Sequence, residues 1–300
     1  MSTTTQHPAV QRDPTRFDPR ITRRASIGTV FQVVFLAATL VGLVFLVILL
    51  VDIGRDGAAQ LSGDFLRNSP SRLASRAGIW PALIGSIWLM LLTALIAFPL
   101  GVGTAIWLEE YAPNNRLTSI IETNIANLAG VPSIVYGILG LAVFVRGLAL
   151  GRSVTAGALT LALLILPVVI IAAQEAIKAV PNSMRLGSYA LGATRWETIR
   201  HHVLPHAMPG ILTGTILALS RAVGEAAPLL LVGAVGFVQF APRGLNDAFT
   251  VIPIQIFNWT SRPQADFHAL AAAASIVLLV LLLAMNAVAI LLRNRYAKRR

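Results

Sequence analysis

Residues 207–235 read AMPGILTGTILALSRAVGEAAPLLLVGAV, an almost unbroken apolar run with Arg221 and Glu225 near its centre. Residues four apart in an α-helix lie one turn from each other on the same face, so this spacing predicts an ion pair. A charge inside a lipid bilayer costs from about 2.5 to more than 10 kcal/mol, depending on the reference state. If this run crosses a membrane, the interactions or the function of the two charges must therefore offset this cost.

Composition indicates a membrane protein. Of the residues, 56% are hydrophobic and only 12% are charged, whereas a soluble domain has roughly 25% charged residues. The few charges leave six spans that reach the roughly 20 residues needed to cross a ~30 Å hydrocarbon core. These spans are residues 25–51, 77–108, 123–145, 153–174, the run around Arg221, and 267–292. We therefore predict an all-α polytopic membrane protein with six transmembrane helices.

The basic residues predict the orientation of the chain. With the N-terminus inside, the cytoplasmic segments hold more Lys and Arg than the external segments, in agreement with the positive-inside rule. We expect a cytoplasmic basic tail at 1–24, a first transmembrane helix at 25–51, an extracytoplasmic loop at 52–77, a membrane domain at 78–292 and a second cytoplasmic tail at 293–300. The net charge of +11 then faces anionic headgroups rather than nucleic acid.

The sequence lacks the motifs of several other classes of protein. It has no G-x-x-x-x-G-K-[ST] phosphate loop and no cysteine, which excludes that mode of ATP binding, disulfides and cysteine metal sites. His202 and His206 have the spacing of one helix face, but Pro205 is expected to end that helix and no third ligand is near. We interpret them as a basic cluster. We expect no metal, no cofactor and no enzymatic activity.

The segment between the fourth and fifth spans has the pattern of two short cytoplasmic helices. Pro181 ends the incoming helix. Asn182 or Ser183 can cap a first short helix, which runs through Leu191. Gly192 then suits a left-handed turn.

A second short helix is expected after this turn. Thr194 and Glu197 have the spacing of a capping box, T-x-x-E, and the helix is expected to end at Leu204-Pro205. Such a pair of helices is too polar to span a membrane and would lie across its cytoplasmic face. An ordinary amphipathic loop is the alternative.

ALGATRW at residues 190–196, followed by Leu204-Pro205, resembles the coupling loop of type I ABC importer permeases. The family pattern is Glu-Ala-Ala, three residues, Gly, and about eleven residues to Leu-Pro. The resemblance implies that the hairpin docks onto a separate ATP-binding subunit. The coupling residues that it implies are Ala190, Gly192, Ala193, Thr194, Glu197, Leu204 and Pro205. The family's Glu falls on Leu186, which cannot complete a capping box with Ser183, so we expect a looser first short helix.

Three further stretches are similar to PstA-type permeases of phosphate-specific ABC importers. They are WLEEYAP at 107–113, LAGVPSIVYG at 128–137 and LSRAVGEAAP at 219–228. The resemblance covers about residues 78–292. It implies an ATP-driven phosphate importer in which this chain forms half of the translocation pathway. The implied partners are two copies of an ATP-binding subunit, a related PstC-type permease subunit and an extracytoplasmic phosphate-binding protein.

The candidate residues of the substrate pathway are Arg221, Glu225, Ser133 and Tyr136. An arginine fork can hold two oxygens of orthophosphate, and Glu225 would compete with the anion for Arg221. A static salt bridge between these two residues is the alternative. Pro132 either breaks the third span, which frees backbone amides and the Ser133 hydroxyl toward a pore, or only kinks it, with Tyr136 as an anchor.

Two other functions share part of these features. A permease for another oxyanion, such as molybdate or sulfate, would use the same arginine. A self-sufficient secondary carrier or channel would account for the spans, but it leaves the structured hairpin unexplained. Transport assays with competing oxyanions, and with the chain alone, separate these possibilities.

Overall fold

The computed structural model describes residues 19–233 and 238–297, and every regular element in these ranges is helical. The chain forms two units, residues 1–52 and 53–300. The α-helices are α1 (Pro19–Ala58), α2 (Gly63–Arg67), α3 (Trp80–Ile106), α4 (Arg116–Ala129), α5 (Ser133–Gly140), α6 (Val154–Lys178), α7 (Asn182–Ala190), α8 (Arg195–Thr198), α9 (Leu204–Val223), α10 (Ala227–Val232), α11 (Ile252–Thr260) and α12 (Ala265–Ala297). The same ranges hold π-helical segments at Trp107–Tyr111, Leu141–Gly147 and Ile199–Val203, and a 3-10 turn at Ala74–Arg76.

Five described helical stretches are long and apolar enough to cross a membrane. They are Ile27–Ala58, Trp80–Tyr111, Val154–Lys178, Arg195–Val223 and Ala265–Arg295. A bent pair, Arg116–Ala129 with Ser133–Gly147, gives up to six spans if it is counted as one. This upper count agrees with the prediction from the sequence, and the chain is an all-α membrane protein.

Pro132 breaks the third predicted span rather than kinking it. α4 and α5 meet at an angle of 103°, and Pro132 is extended between them, with φ −55° and ψ 137°. Proline donates no N–H, and it disfavours helical backbone at the residue before it, here Val131. The helical ladder therefore stops at this point and starts again at Ser133.

α6 packs against five helices of the second unit, namely α3, α4, α5, α9 and α10. Small residues allow the closest of these contacts. A Cβ at Gly210 of α9 would lie 2.8 Å from the Cβ of Ala176, and Gly214 meets Ala172 one turn further along. Lipid supplies no hydrophobic driving force between helices, so membrane helices associate through such close packing of small residues.

The apolar run around Arg221 is not one helix, contrary to the prediction. α9 ends just before Gly224, and α10 begins at Ala227. Pro228, in the first turn of α10, cannot donate to the carbonyl of Gly224, and its ring clashes with that carbonyl in a continuous helix. Arg221 therefore lies in the last turn of α9, whereas Glu225 lies in the connection that follows. The last two residues of the run are outside the described part of the chain.

The second short helix of the hairpin does not end at Leu204-Pro205, so this prediction was wrong. α8 continues through the π-helical segment Ile199–Val203 into α9 as one helical stretch. The N–H of Leu204 bonds to the carbonyl of Ile199, five residues back. Pro205 lies just after this π-helical segment and within the continuous stretch, where its missing N–H interrupts the hydrogen-bond ladder without ending the helix.

The helices at both ends of the chain are longer than the predicted spans. α1 begins at Pro19 and α12 ends at Ala297, so the predicted tails 1–24 and 293–300 each overlap a helix. The remainder of each tail lies outside the described residues. α1 also extends into the predicted loop at 52–77.

Candidate functional sites

Two helix breaks meet in the core of the second unit. One separates α4 from α5, and the other separates α9 from α10. Val131 and Tyr136, which flank the first break, pack in one apolar cluster with Ala222 and Ala226, which flank the second. α5 and α10 also contact each other directly. Both interruptions of the helical backbone therefore lie in one region of the fold.

Arg221 and Glu225 form the predicted pair, but across the end of α9 and with loose geometry. Arg221 Nε lies 3.5 Å from Glu225 Oε1, and the Arg221 side chain is 57% exposed against 18% for Glu225. Among the described residues, neither terminal guanidinium nitrogen of Arg221 has a hydrogen-bond partner. These two nitrogens can therefore still donate parallel hydrogen bonds to an anion.

The preceding residue, Ser220, fixes the rotation of α9. Its hydroxyl lies 2.5 Å from Oδ1 of Asn286 on α12 and donates to the carbonyl of Ile216 at 2.7 Å. Successive residues of an α-helix point roughly 100° apart. Arg221 is therefore directed away from the contact between α9 and α12.

The structure assigns different surroundings to Ser133 and Tyr136. Ser133 is the first residue of α5 and is half-buried. The ring of Tyr136 is buried, and its hydroxyl donates to the carbonyl of Leu128 at 2.8 Å. Tyr136 thus bridges the break at Pro132 with a second hydrogen bond to a carbonyl that also accepts from the N–H of Val131 at 3.1 Å.

The predicted hairpin of short helices is formed by α7 and α8. Gly192 has a left-handed backbone, with φ +84°, and the predicted capping box of Thr194 and Glu197 is present. The turn is closed by a hydrogen bond from the N–H of Ala193 to the carbonyl of Ser188 at 3.2 Å. The buried hydroxyls of Ser188 and Thr198, 2.8 Å apart, join the two helices. Ala190 is the last residue of α7.

The hairpin presents large apolar side chains outward. Leu191 is 91% exposed, Leu186 is 61% exposed and Trp196 is 53% exposed. On the other side, Leu204 packs against an apolar cluster contributed by α3, α6 and α9. An exposed apolar patch on a polar hairpin is typical of a protein interaction site.

An ion pair that the sequence analysis did not identify ties the hairpin to the rest of the fold. Arg185 of α7 donates to Oε1 of Glu110, from Nε at 3.0 Å and from Nη2 at 2.8 Å. Glu110 is 5% exposed. The nearby Glu109 accepts from Gln174 at 3.0 Å and pairs with Lys178 at 3.2 Å. The sequence feature that indicates this network is the Glu109-Glu110 doublet directly after an apolar span. Two carboxylates at the end of a membrane helix need hydrogen-bond donors nearby.

Comparisons with known proteins agree with this architecture. The profile of a family described as "Binding-protein-dependent transport system inner membrane component" matches residues 97–299. The chain is 36% identical over 263 residues to the probable ABC transporter permease protein YqgI of Bacillus subtilis (strain 168), which covers 84% of this chain and 87% of that protein.

Two further relatives carry a more specific name. The chain is 33% identical over 294 residues to the phosphate transport system permease protein PstA 1 of Mycobacterium tuberculosis (strain CDC 1551 / Oshkosh), covering 96% of this chain and 95% of that protein. It is 31% identical over 249 residues to the phosphate transport system permease protein PstA of Haemophilus influenzae, covering 83% and 87%.

Solved structures share the fold at low sequence identity. A chain of a bacterial ABC transporter involved in the import of the acidic polysaccharide alginate has a TM-score of 0.61 and 16% identity, covering 92% of this chain and 99% of that chain. A chain of the MetNI methionine ABC transporter in an inward-facing conformation has a TM-score of 0.56 and 18% identity, covering 73% and 94%.

Proposed function

Because the chain belongs to the family of binding-protein-dependent transport system inner membrane components, we propose that it is the PstA-type permease subunit of an ATP-driven phosphate importer. The family and the apolar helices make it a multi-pass protein of the cell membrane and a permease subunit of an ABC importer. Such subunits are not themselves enzymes and work with an ATPase and a periplasmic binding protein. Relatives that are named phosphate transport permeases, and that match along most of the chain, support the substrate.

The observation that carries the proposal is the exposure and incomplete hydrogen bonding of Arg221. It lies at the end of a membrane helix, more than half exposed, and both terminal guanidinium nitrogens are without partners among the described residues. A planar guanidinium fork matches two oxygens of orthophosphate, and a charge-assisted bidentate contact is stronger than one between neutral groups. Ser133, at the start of α5, adds a hydroxyl to the same pathway. Tyr136 bridges the adjoining break at Pro132.

Glu225 provides the reason that phosphate is released again. A lone guanidinium in a site of low dielectric would hold a divalent anion tightly. The carboxylate of Glu225 already lies 3.5 Å from Arg221 Nε, so a small rotation of either side chain turns a loose contact into a full ion pair. Glu225 thus competes with phosphate for the same donors, and the anion leaves when the pair closes.

The hairpin of α7 and α8 is proposed as the docking element for the ATP-binding subunit. Its exposed Leu191, Leu186 and Trp196 supply an apolar surface of the kind that anchors interfaces. The family's Glu is replaced by Leu186, yet α7 is formed from Asn182 to Ala190, so docking in this chain relies more on apolar contact.

The proposed complex contains more than this chain. A pore needs a second wall, which a related PstC-type permease subunit supplies. Two copies of the ATP-binding subunit lie on the cytoplasmic side, where both termini of this chain are also placed. An extracytoplasmic phosphate-binding protein delivers the substrate.

The test is transport by the reconstituted complex. Liposomes that contain this chain, the PstC-type subunit and the ATP-binding subunit are supplied with ATP inside and with radiolabelled phosphate and the binding protein outside. We expect ATP-dependent uptake that excess molybdate or sulfate does not suppress. Preferential transport of another oxyanion would assign a different substrate. Transport by this chain alone, without ATP, would make it a secondary carrier.

A further inference from the structure

Arg185 makes an unusually complete set of hydrogen bonds for a residue on a cytoplasmic hairpin. Besides its two bonds to Glu110 Oε1, Nη1 donates to the carbonyl of Val180 at 2.8 Å and Nη2 donates to that of Ile177 at 3.1 Å. All three guanidinium nitrogens are therefore used. The side chain of Arg185 is only 16% exposed, and that of Glu110 is 6% exposed.

These bonds join three elements at one point. Glu110 belongs to the π-helical segment that ends the α3 stretch, and Arg185 belongs to α7. The carbonyl of Ile177 lies in the last turn of α6, and that of Val180 lies two residues beyond its end. The last carbonyls of a helix lack intrahelical partners and carry partial negative charge, so a cation is stabilised there. Arg185 thus satisfies the end of one membrane helix and holds the end of another.

One π-helical segment is part of this junction, and a second one contacts α7. Trp107–Tyr111 carries Glu110, and Ile199–Val203 connects α8 to α9. π-helical turns are rare and are frequent at functional sites, where they interrupt the regular ladder of an α-helix. A second contact also joins the hairpin to the segment Trp107–Tyr111, since the guanidinium of Arg195 lies 5.3 Å from the centre of the Tyr111 ring.

A neighbouring ion pair provides the contrast. Lys178 and Glu109 are chain neighbours of Ile177 and Glu110. They lie 3.2 Å apart, but the Lys178 side chain is 48% exposed. Exposed pairs contribute little to stability, whereas a buried pair must offset the cost of removing both charges from water. Replacing a buried ion pair by apolar side chains is often neutral or stabilising, so we attribute the value of this pair to fixing a relative position.

We propose that Arg185 and Glu110 are positioning residues of the transport cycle, which lock the hairpin of α7 and α8 to the cytoplasmic ends of α3 and α6. A displacement of the hairpin then reaches α3 and α6 directly, in addition to the route through α8 into α9. This inference rests on the proposed function of the hairpin as the docking element for an ATPase. It concerns what happens after docking.

The experiment uses the full complex in liposomes with Arg185→Lys, Glu110→Gln and the control Lys178→Gln. Arg185→Lys keeps the charge but loses the fork. Glu110→Gln keeps an acceptor but loses the charge, and the control removes an exposed charge from the same face. We expect both test variants to assemble with the ATPase and keep basal ATP hydrolysis, while phosphate taken up per ATP falls roughly 2- to 30-fold. The control should transport like the wild type.

A distance measurement separates positioning from general destabilisation. The chain has no cysteine, so Asn114→Cys and Ser183→Cys can carry a pair of spin labels across the junction. We expect one narrow distance distribution in every nucleotide state of the wild type and the control, and a broadened or shifted one in both test variants.

Three outcomes would overturn the inference. They are unchanged uptake per ATP in both test variants, an unchanged label distance, and failure of both variants to assemble, which would make the pair purely structural. If the wild-type complex fails to import phosphate or to retain the ATPase, the proposed function fails instead, and the two failures are thus distinguished.

Discussion

Gly137 of α5 lies directly against Pro228 of α10, so that a Cβ at position 137 would be 2.7 Å from the Cα of Pro228 and 2.9 Å from its carbonyl oxygen. Each residue follows one of the two helix breaks, Gly137 by about one turn and Pro228 within the first turn of its helix. The contact sets the distance between α5 and α10. Because the obstructing atoms are backbone, they cannot rotate aside.

Gly137→Ala should therefore destabilise the protein. Overpacking at a close helix contact costs typically about 1–3 kcal/mol. Gly103→Ala is a matched control, because Gly103 also lies within a membrane helix but an added Cβ there meets nothing within 4 Å. Alanine in an open helix position is favoured over glycine by up to about 1 kcal/mol. The unfolding temperature of the purified protein in detergent should fall for the first variant and stay level or rise for the second. Equal shifts would contradict the close contact.

Arg221→Gln should abolish phosphate uptake while the complex still assembles. The variant loses the two terminal donors, and a hydrogen bond to a charged group contributes about 1.5–3 kcal/mol. Uptake should thus fall by at least about 100-fold, if both bonds form in the rate-limiting state. Arg221→Lys, which retains charge without the fork, should lie between. Arg116→Gln removes an exposed arginine elsewhere and should transport normally. Wild-type uptake by Arg221→Gln would remove this residue from the pathway.

Glu225→Gln separates a gate from a static bridge. Without the competing carboxylate, Arg221 should hold phosphate longer, so both the KM and the maximal rate of uptake should fall. A static bridge predicts a different result, namely a lower unfolding temperature with an unchanged KM. Uptake measured over a range of phosphate concentrations, together with thermal unfolding, distinguishes the two. The single 3.5 Å contact and the exposure of Arg221 favour the gate.

Tyr136→Phe addresses another candidate residue of the substrate pathway. The hydroxyl of Tyr136 donates to the carbonyl of Leu128, which also accepts from the N–H of Val131, and loss of one such bond costs about 0.5–1.5 kcal/mol. We expect a lower unfolding temperature and a KM close to that of the wild type. A KM that rises with no change in stability would instead mean that the hydroxyl contacts the substrate.

Much of the fold was predictable because hydrophobic length and turn chemistry are local properties. Uncharged stretches gave the spans, and the left-handed Gly192 and the capping box at Thr194 followed from two short motifs. The break after Arg221 was also encoded locally, since Pro228 follows Gly224 by four residues and cannot complete its hydrogen bond. The helical spacing of Arg221 and Glu225 concealed this break, because an i, i+4 pair looks helical in any sequence.

The junction of Arg185 and Glu110 could not be predicted in the same way. The two residues are 75 positions apart, and only the packing of α3, α6 and α7 brings them together. The sequence indicated an acidic doublet at the end of a span and one more basic residue in a cytoplasmic segment. Neither observation specifies a partner, because charge counting carries no information on distance.

Gly192 provides a test of the hairpin that separates backbone conformation from steric fit. Its φ of +84° is left-handed, and an added Cβ would meet nothing within 4 Å, so a substitution is strained only through the backbone. Left-handed backbone costs roughly 1–2 kcal/mol for most residues, and asparagine tolerates it better than β-branched residues. Gly192→Val should therefore distort the turn between α7 and α8 and reduce both co-purification of the ATPase and phosphate-dependent ATP hydrolysis. Gly192→Asn should preserve both, and equal behaviour of the two variants would show that this turn is not needed for coupling.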